Sequence, residues 1–265
     1  MRKIFLPALL LFSICSPTLF AQESNEDLAK ASQNPLANMM SFPFQNNTNF
    51  GIGPYDRSQN VLNIQPVLPF FKGKLITRTI IPIVWQPDIS SETGGTSGLG
   101  DITFTAFYAN ESKGITWGVG PVVNFPTASD PSLGPQEWGV GPSIVALAMP
   151  GKWVVGGLIN NVWSVGNESI NSMLLQYFIN YNLPGGSYIT TSPIITSNWN
   201  APDGNQWTVP FGIGAGKIVK LGGKLPLNLN ASAYYNVVKP DYGADWTLRL
   251  QAVVLLPTSV LEKKK

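Results

Sequence analysis

The chain has 265 residues, only 12% of them charged, with 26 Gly, 22 Pro, 8 Trp, a single Cys and no His. The charged fraction is about half the usual ~25%, yet mean hydropathy is only +0.08, which excludes a bundle of apolar membrane helices and suits a chain with one face in lipid and one in water. Lack of His excludes a Ser-His-Asp triad and a His-ligated metal site, and a single Cys excludes a disulfide framework.

The N-terminus reads as a secretory signal peptide over residues 1–21. Arg2 and Lys3 precede the short apolar run "IFLPALLLFSIC", and "LFA" ends at Ala21 with a small residue suited to cleavage. The run is shorter than the ~20 residues that a spanning helix needs. Cleavage removes Cys15 and two of the 17 basic residues, leaving 15 basic residues against 15 acidic ones. A neutral chain gives no reason to expect nucleic acid as a partner. Residues 22–41 are polar and form a periplasmic N-terminal segment. Its "NEDLAKASQNPLANMM" can make a short helix, broken or begun near Pro35.

From residue 42 onward the hydropathy alternates with period two. Twelve segments of this kind lie near 42–52, 61–71, 74–86, 99–109, 114–126, 136–148, 152–164, 170–182, 187–198, 206–218, 225–238 and 244–256. In the fifth, Ile115, Trp117, Val119, Pro121, Val123 and Phe125 share one face, with Thr116, Gly118, Gly120 and Asn124 opposite. In the twelfth, Trp246, Leu248, Leu250, Ala252, Val254 and Leu256 share one face, with Asp245, Thr247, Arg249 and Gln251 opposite. The third, "LITRTIIPIVW", is apolar on both faces and leaves Arg78 without an assigned side.

The connections alternate long and short. Polar stretches such as "GPYDRSQN", "QPDISSETGGTSG" and "TASDPSLGPQ" alternate with tight links such as "KG", "NESK", "PGK" and "LGGK", whose Gly, Pro and Asn suit tight turns. Such alternation implies an up-and-down meander with every long loop at one end. The strands exceed the usual ~5–6 residues and match the ~9–11 of a tilted membrane strand. Trp153 and Trp163 share a face ten residues apart, a height of about 25 Å along a tilted strand, which is the apolar band of an outer-membrane barrel. In hydrocarbon every backbone polar group must be paired, so the sheet must close. The expected fold is therefore all-β: an antiparallel up-and-down transmembrane β-barrel of about 12 strands over 42–256, with short periplasmic turns, longer extracellular loops and a C-terminal tail over 257–265.

Alternation assigns the side chains. The lumen-facing candidates are Gln45, Asn47, Asn63, Gln65, Asp101, Thr103, Asn124, Glu137, Gln176, Thr190, Gln206, Asn228, Asn230, Arg249 and Gln251. Such a wall is polar, small and weakly charged, favouring small neutral or mildly polar solutes. Asp101 and Glu137 read as wall charges paired with Arg78 or Arg249 rather than as a catalytic pair. The membrane-interface aromatics are Trp85, Trp117, Phe125, Trp138, Trp153, Trp163, Trp207 and Trp246. "WGVGP" occurs at Trp117 and at Trp138, and on antiparallel neighbours the two Trp fall at opposite interfaces, Trp138 beside Phe125. "GIGAG" at 212–216 lacks the helix and acid of a dinucleotide site. No catalytic residue, metal or other cofactor is expected. Residues 22–41 either enter and gate the lumen or lead in from the periplasm.

The stretches "AKASQNPLANMMSFPFQNNTNFGIGP", "LITRTIIPIVWQPDI", "GLGDITFTAFY", "WGVGPVVNFPTASD" and "QWTVPFGIGAGKIVKLGG" resemble the meta-pathway phenol-degradation family of bacterial outer-membrane barrels, some members of which carry the mistaken label neuromedin U. The resemblance runs in order over most of the mature chain. It implies a porin-like role in the passive uptake of small molecules, aromatic or hydrophobic ones among them. The implied partners are the lipid bilayer, a small-molecule solute and the outer-membrane assembly machinery. The ending "LLPTSVLEKKK" departs from the C-terminal aromatic of many such barrels. Two further readings stay open at this point: a structural or surface-interaction barrel without an open pore, and a soluble secreted β-barrel that binds a ligand.

Overall fold

The computed structural model describes residues 24–166, 168–223 and 225–256. The expected signal peptide and the 257–265 tail lie outside the described residues. A short helix, α1 (Asn25–Gln33), is followed by β1 (Met40–Ile52), β2 (Arg57–Ile64), β3 (Val67–Phe70), β4 (Leu75–Pro87), β5 (Gly95–Leu99), β6 (Ile102–Ser112), β7 (Ile115–Phe125) and β8 (Gly139–Ala148). The chain continues through β9 (Trp153–Ser164), β10 (Asn171–Asn182), β11 (Ser187–Thr191), β12 (Ile194–Asn198), β13 (Trp207–Leu221), β14 (Leu225–Val238) and β15 (Trp246–Leu256). Every pairing is antiparallel, and β1 pairs β15 from Met40↔Leu256 to Phe50↔Trp246, so the sheet closes on itself.

Fifteen hydrogen-bonded strands make twelve barrel staves because three staves are interrupted, each for a local reason. β2 and β3 keep one register against β4, Ile64↔Ile81 and Val67↔Arg78. They part at Pro66, which has no N–H to give the ladder. Pro193 separates β11 from β12 in the same way. Between β5 and β6 the partner sums slip by one, Ile83↔Leu99 and then Ile80↔Thr103, so Gly100 and Asp101 form a bulge. The turns at one end are tight. Ser112↔Ile115 closes around Lys113 and Gly114, both with positive φ (51° and 77°), the pair of conformations that a two-residue hairpin turn requires.

One expected long loop is a tight turn. "GPYDRSQN" reduces to residues 53–56, because Arg57–Asn60 already pair with β1. This end of β2 is polar on both faces, so alternation does not reveal it.

Outward faces are apolar and bare. Along β8, Gly139, Gly141, Ser143, Val145 and Leu147 are buried while Val140, Pro142 and Ile144 are exposed. On β13, Phe211 and Ile213 are 70% and 64% exposed, a band of apolar surface that water does not tolerate and lipid does. The inward wall departs from the expected polar character in the half near the tight turns. There Ile76, Phe107, Ala109, Val145, Leu147, Val154, Leu158 and Phe178 form an apolar cluster with Leu36. The covering group is the segment before β1.

Candidate functional site: the lumen and its seals

Residues 24–39 lie against the inner wall. α1 starts because the Ser24 hydroxyl accepts from the Asp27 amide at 3.1 Å, with Glu26 and Asp27 in the first turn and Lys30 in the last, each favourable to the helix dipole. It stops before Pro35. Leu28 and Ala29 are fully buried against Tyr188, Ile218, Val253 and Leu255. Leu36 enters the larger apolar cluster, where a side chain on Gly118 would press on its methyls at 3.1 Å. Burying each Leu contributes about 1.5–3 kcal/mol. Polar pins complete the seal. Gln33 and Asn182 exchange amide hydrogen bonds of 2.9 and 3.1 Å, Asn228 donates to the Ser32 hydroxyl at 2.9 Å, and the Glu26 carboxylate accepts from the Gly185 amide.

In the half near the long loops the staves β15, β1, β2 and β4 are polar, while Val122 and Val162 with Ile170 form an apolar cluster further round the wall. Across four adjacent staves the Thr247 hydroxyl donates to Asn49, Asn49 to Gln59 and Gln59 to Gln86. This belt satisfies each amide with its neighbour in the next stave. Two loops are folded onto the wall above it. The Asp101 carboxylate, placed by the bulge, accepts from the amides of Thr127 and Ala128 with one oxygen and of Gln136 with the other, at 2.8–2.9 Å. That brings Ala128 and Leu133 onto Val84. The Arg57 guanidinium donates to the carbonyls of Asp88, Ser91 and Gly94, closing the loop after β4.

Between these regions lies a cavity of about 180 Å³, lined on one side by α1 and the residues after it and on the other by Gln45, Gln65, Arg78, Gln176, Thr190, Asn228, Arg249 and Gln251. Registers place Asn47 beside Arg249, Asn63 beside Gln45, and Asn230 beside Gln251 on the same inner face. Thr103 donates to Asn124 across neighbouring staves at 2.8 Å. Two candidates are not on staves. Glu137 precedes β8, where positive φ at Gln136 (54°) turns the chain away from the strand path. Gln206 ends the turn before β13, its carbonyl accepting from Asn198. Asp101 pairs with backbone amides, not with an arginine. Arg78, unassigned from sequence, points inward, donating to Gln65. The belt residues Asn49, Gln59 and Gln86, the clamp Arg57, and the plug contacts Asn182 and Tyr188 escaped the sequence reading. For the belt the signal was present, as polar residues repeating on the inner parity of neighbouring strands.

The aromatics form two girdles. Phe125–Trp138 (5.1 Å), Phe50–Trp246 (4.2 Å, stacked) and Trp199–Trp207 (5.2 Å) mark the long-loop end, where Trp85 and Trp163 are also exposed. Trp153–Tyr181 (4.8 Å) and Tyr108–Trp117 (6.3 Å) mark the other. Trp117 and Trp138 thus sit at opposite ends. Among the described residues, no group of three His, Cys, Asp or Glu side chains is placed to hold a metal ion.

A closed twelve-stave barrel with an apolar outer band, two aromatic girdles and a partly filled lumen defines an outer-membrane-type β-barrel. The chain belongs to the family described as "Putative MetA-pathway of phenol degradation", whose model matches residues 44–251. Its fold is similar to that of the COG4313 outer membrane channel from Pseudomonas putida F1, at 20% identity and a TM-score of 0.59 over 82% of this chain and 94% of that one. Outer membrane phospholipase A from Escherichia coli aligns over 82% of this chain and 95% of its own at 15% identity and a TM-score of 0.41, a level that carries no inference about activity. No curated protein sequence matches the chain significantly.

Proposed function

We propose that the protein is a channel of the outer membrane that admits small molecules by passive diffusion, with residues 24–39 as a displaceable plug. The observation that carries this reading is the cavity of mixed polarity that lies between the barrel wall and the N-terminal segment. Its wall mixes amides with Phe178 and Tyr188, which suits small solutes that are polar at one end and aromatic at the other. Short turns and both chain ends of the barrel would face the periplasm, by analogy with bacterial barrels. A surface-interaction role gains little support from loops that Asp101 and Arg57 hold onto the barrel, and a soluble role conflicts with Phe211 and Ile213 on the outer face.

Proteoliposome swelling tests the proposal with a graded series of small sugars and phenol. Swelling should fall with solute size and should rise when Leu36→Ala loosens the plug. Absence of swelling with every solute, in native protein and L36A alike, with folding verified by heat-modifiable gel mobility, would reject it.

A further inference from the structure

The cavity wall holds two guanidiniums and no acid. Arg78 and Arg249 both line it and lie within electrostatic reach of each other, and none of the described lining residues is Asp or Glu. Asp101, the acid best placed in sequence to neutralise them, has both carboxylate oxygens engaged by loop amides. Arg249 is held in place: Nε donates to Asn47 at 3.0 Å, a terminal nitrogen donates to the Ser192 carbonyl at 2.8 Å, and the group lies 4.9 Å over the Tyr234 ring. Arg78 donates only to Gln65, so most of its N–H groups have no partner among the described residues. Two like charges lining one confined cavity repel one another. An anion between them offsets that repulsion and satisfies the free donors, and the planar guanidinium fork matches a carboxylate. Val67, Leu158 and Phe178 give the same cavity an apolar side.

We infer that the lumen contains a binding site for a small organic anion, its carboxylate on Arg78 and Arg249 and its apolar part against Val67, Leu158 and Phe178. The site deepens the channel proposal and rests on it for its role in uptake, but binding is measurable without transport.

Calorimetric titration of the folded full-length mature barrel in neutral detergent supplies the test, with sodium benzoate, benzamide and sodium phosphate as probes. Benzoate should bind, benzamide should not, and R78Q should weaken benzoate by roughly tenfold, the scale of one lost charged hydrogen bond. Because Arg78 makes one protein hydrogen bond, R78Q should fold. Should gel mobility show otherwise, R249Q is read in its place, and R78K should recover part of the loss. Equal binding of benzamide and benzoate, or no change in a folded R78Q, overturns the site. Phosphate binding as tightly as benzoate overturns its organic character. In planar bilayers a KCl gradient should give a reversal potential favouring chloride, reduced in R78Q, and a cation preference counts against the inference. Benzoate binding without conductance in any variant keeps the site and removes the channel. Conductance without benzoate binding does the reverse.

Discussion

The two halves of the lumen are built on opposite chemistries. Near the tight turns the inner wall is apolar, and it is covered by Leu28, Ala29 and Leu36 from a separate stretch of chain. Near the long loops the wall formed by β15, β1, β2 and β4 is polar and satisfies itself through the Thr247–Asn49–Gln59–Gln86 belt, and the apolar Val84 beyond it is covered by Ala128 and Leu133 of a folded-in loop. A wall that completes its own hydrogen bonds needs no occupant, whereas an apolar wall inside a water-filled barrel does. The contrast supports the proposal that the N-terminal segment is a fitted plug, with the hydrogen bonds of Gln33 and Asn228 orienting it.

Breaking the plug should have the largest effect. Leu36→Asp places an unpaired carboxylate among apolar side chains, at a cost on the order of 3–5 kcal/mol. Hydrogen exchange at residues 24–39 should then approach open-chain rates while β7–β9 stay protected. Unchanged protection of the segment would show that its docking does not depend on the apolar wall. On the polar side, Asp101→Asn should cost the loop about 1–3 kcal/mol, seen as faster proteolysis within residues 126–136, with plug exchange unaltered. Arg57→Gln should loosen residues 88–94 by about 1 kcal/mol, read as local hydrogen exchange. Simultaneous release of the plug in either variant would mean that the two halves are one cooperative unit.

The smallest expected effect is a pH dependence. The Ser90 hydroxyl and amide hold the Asp88 carboxyl below the usual carboxylate range, with Arg57 adding to them, and the Ser132 hydroxyl and amide do the same for Asp130. A depressed folded value means that the loop contacts are fully present above the ordinary carboxylate pKa and are lost as pH falls through the depressed one. Loop proteolysis should therefore rise only under acid conditions, and Ser90→Ala should move the onset for the first loop to higher pH. Loosening as pH rises would contradict this assignment.

The barrel was legible in the sequence because lipid enforces alternation over long strands and closure enforces an even, up-and-down path. The staves containing Trp117, Trp153 and Trp246 show this most plainly. The lumen was less legible. Arg78 sits between Ile76 and Ile80, and with apolar residues on both faces of that strand period two has no phase. On the inside Ile76 packs with Leu36, a long-range contact that no local pattern encodes. Asp101 was placed on the correct side and given the wrong partner, since a one-residue bulge directs its carboxylate to loop amides. Glu137 and Gln206 fell at strand ends, where alternation continues beyond the last ladder bond.

If residues 24–39 gate the barrel, locking the hydrogen-bonded pair Gln33 and Asn182 together should hold it closed. The described residues contain no Cys, so Gln33→Cys with Asn182→Cys gives a unique pair for a short, cleavable thiol cross-linker. Single-channel recordings of the double variant should show a steady low-conductance state when cross-linked, and larger, fluctuating openings after the linker is cleaved. The same conductance in both states would contradict a gate formed by this segment.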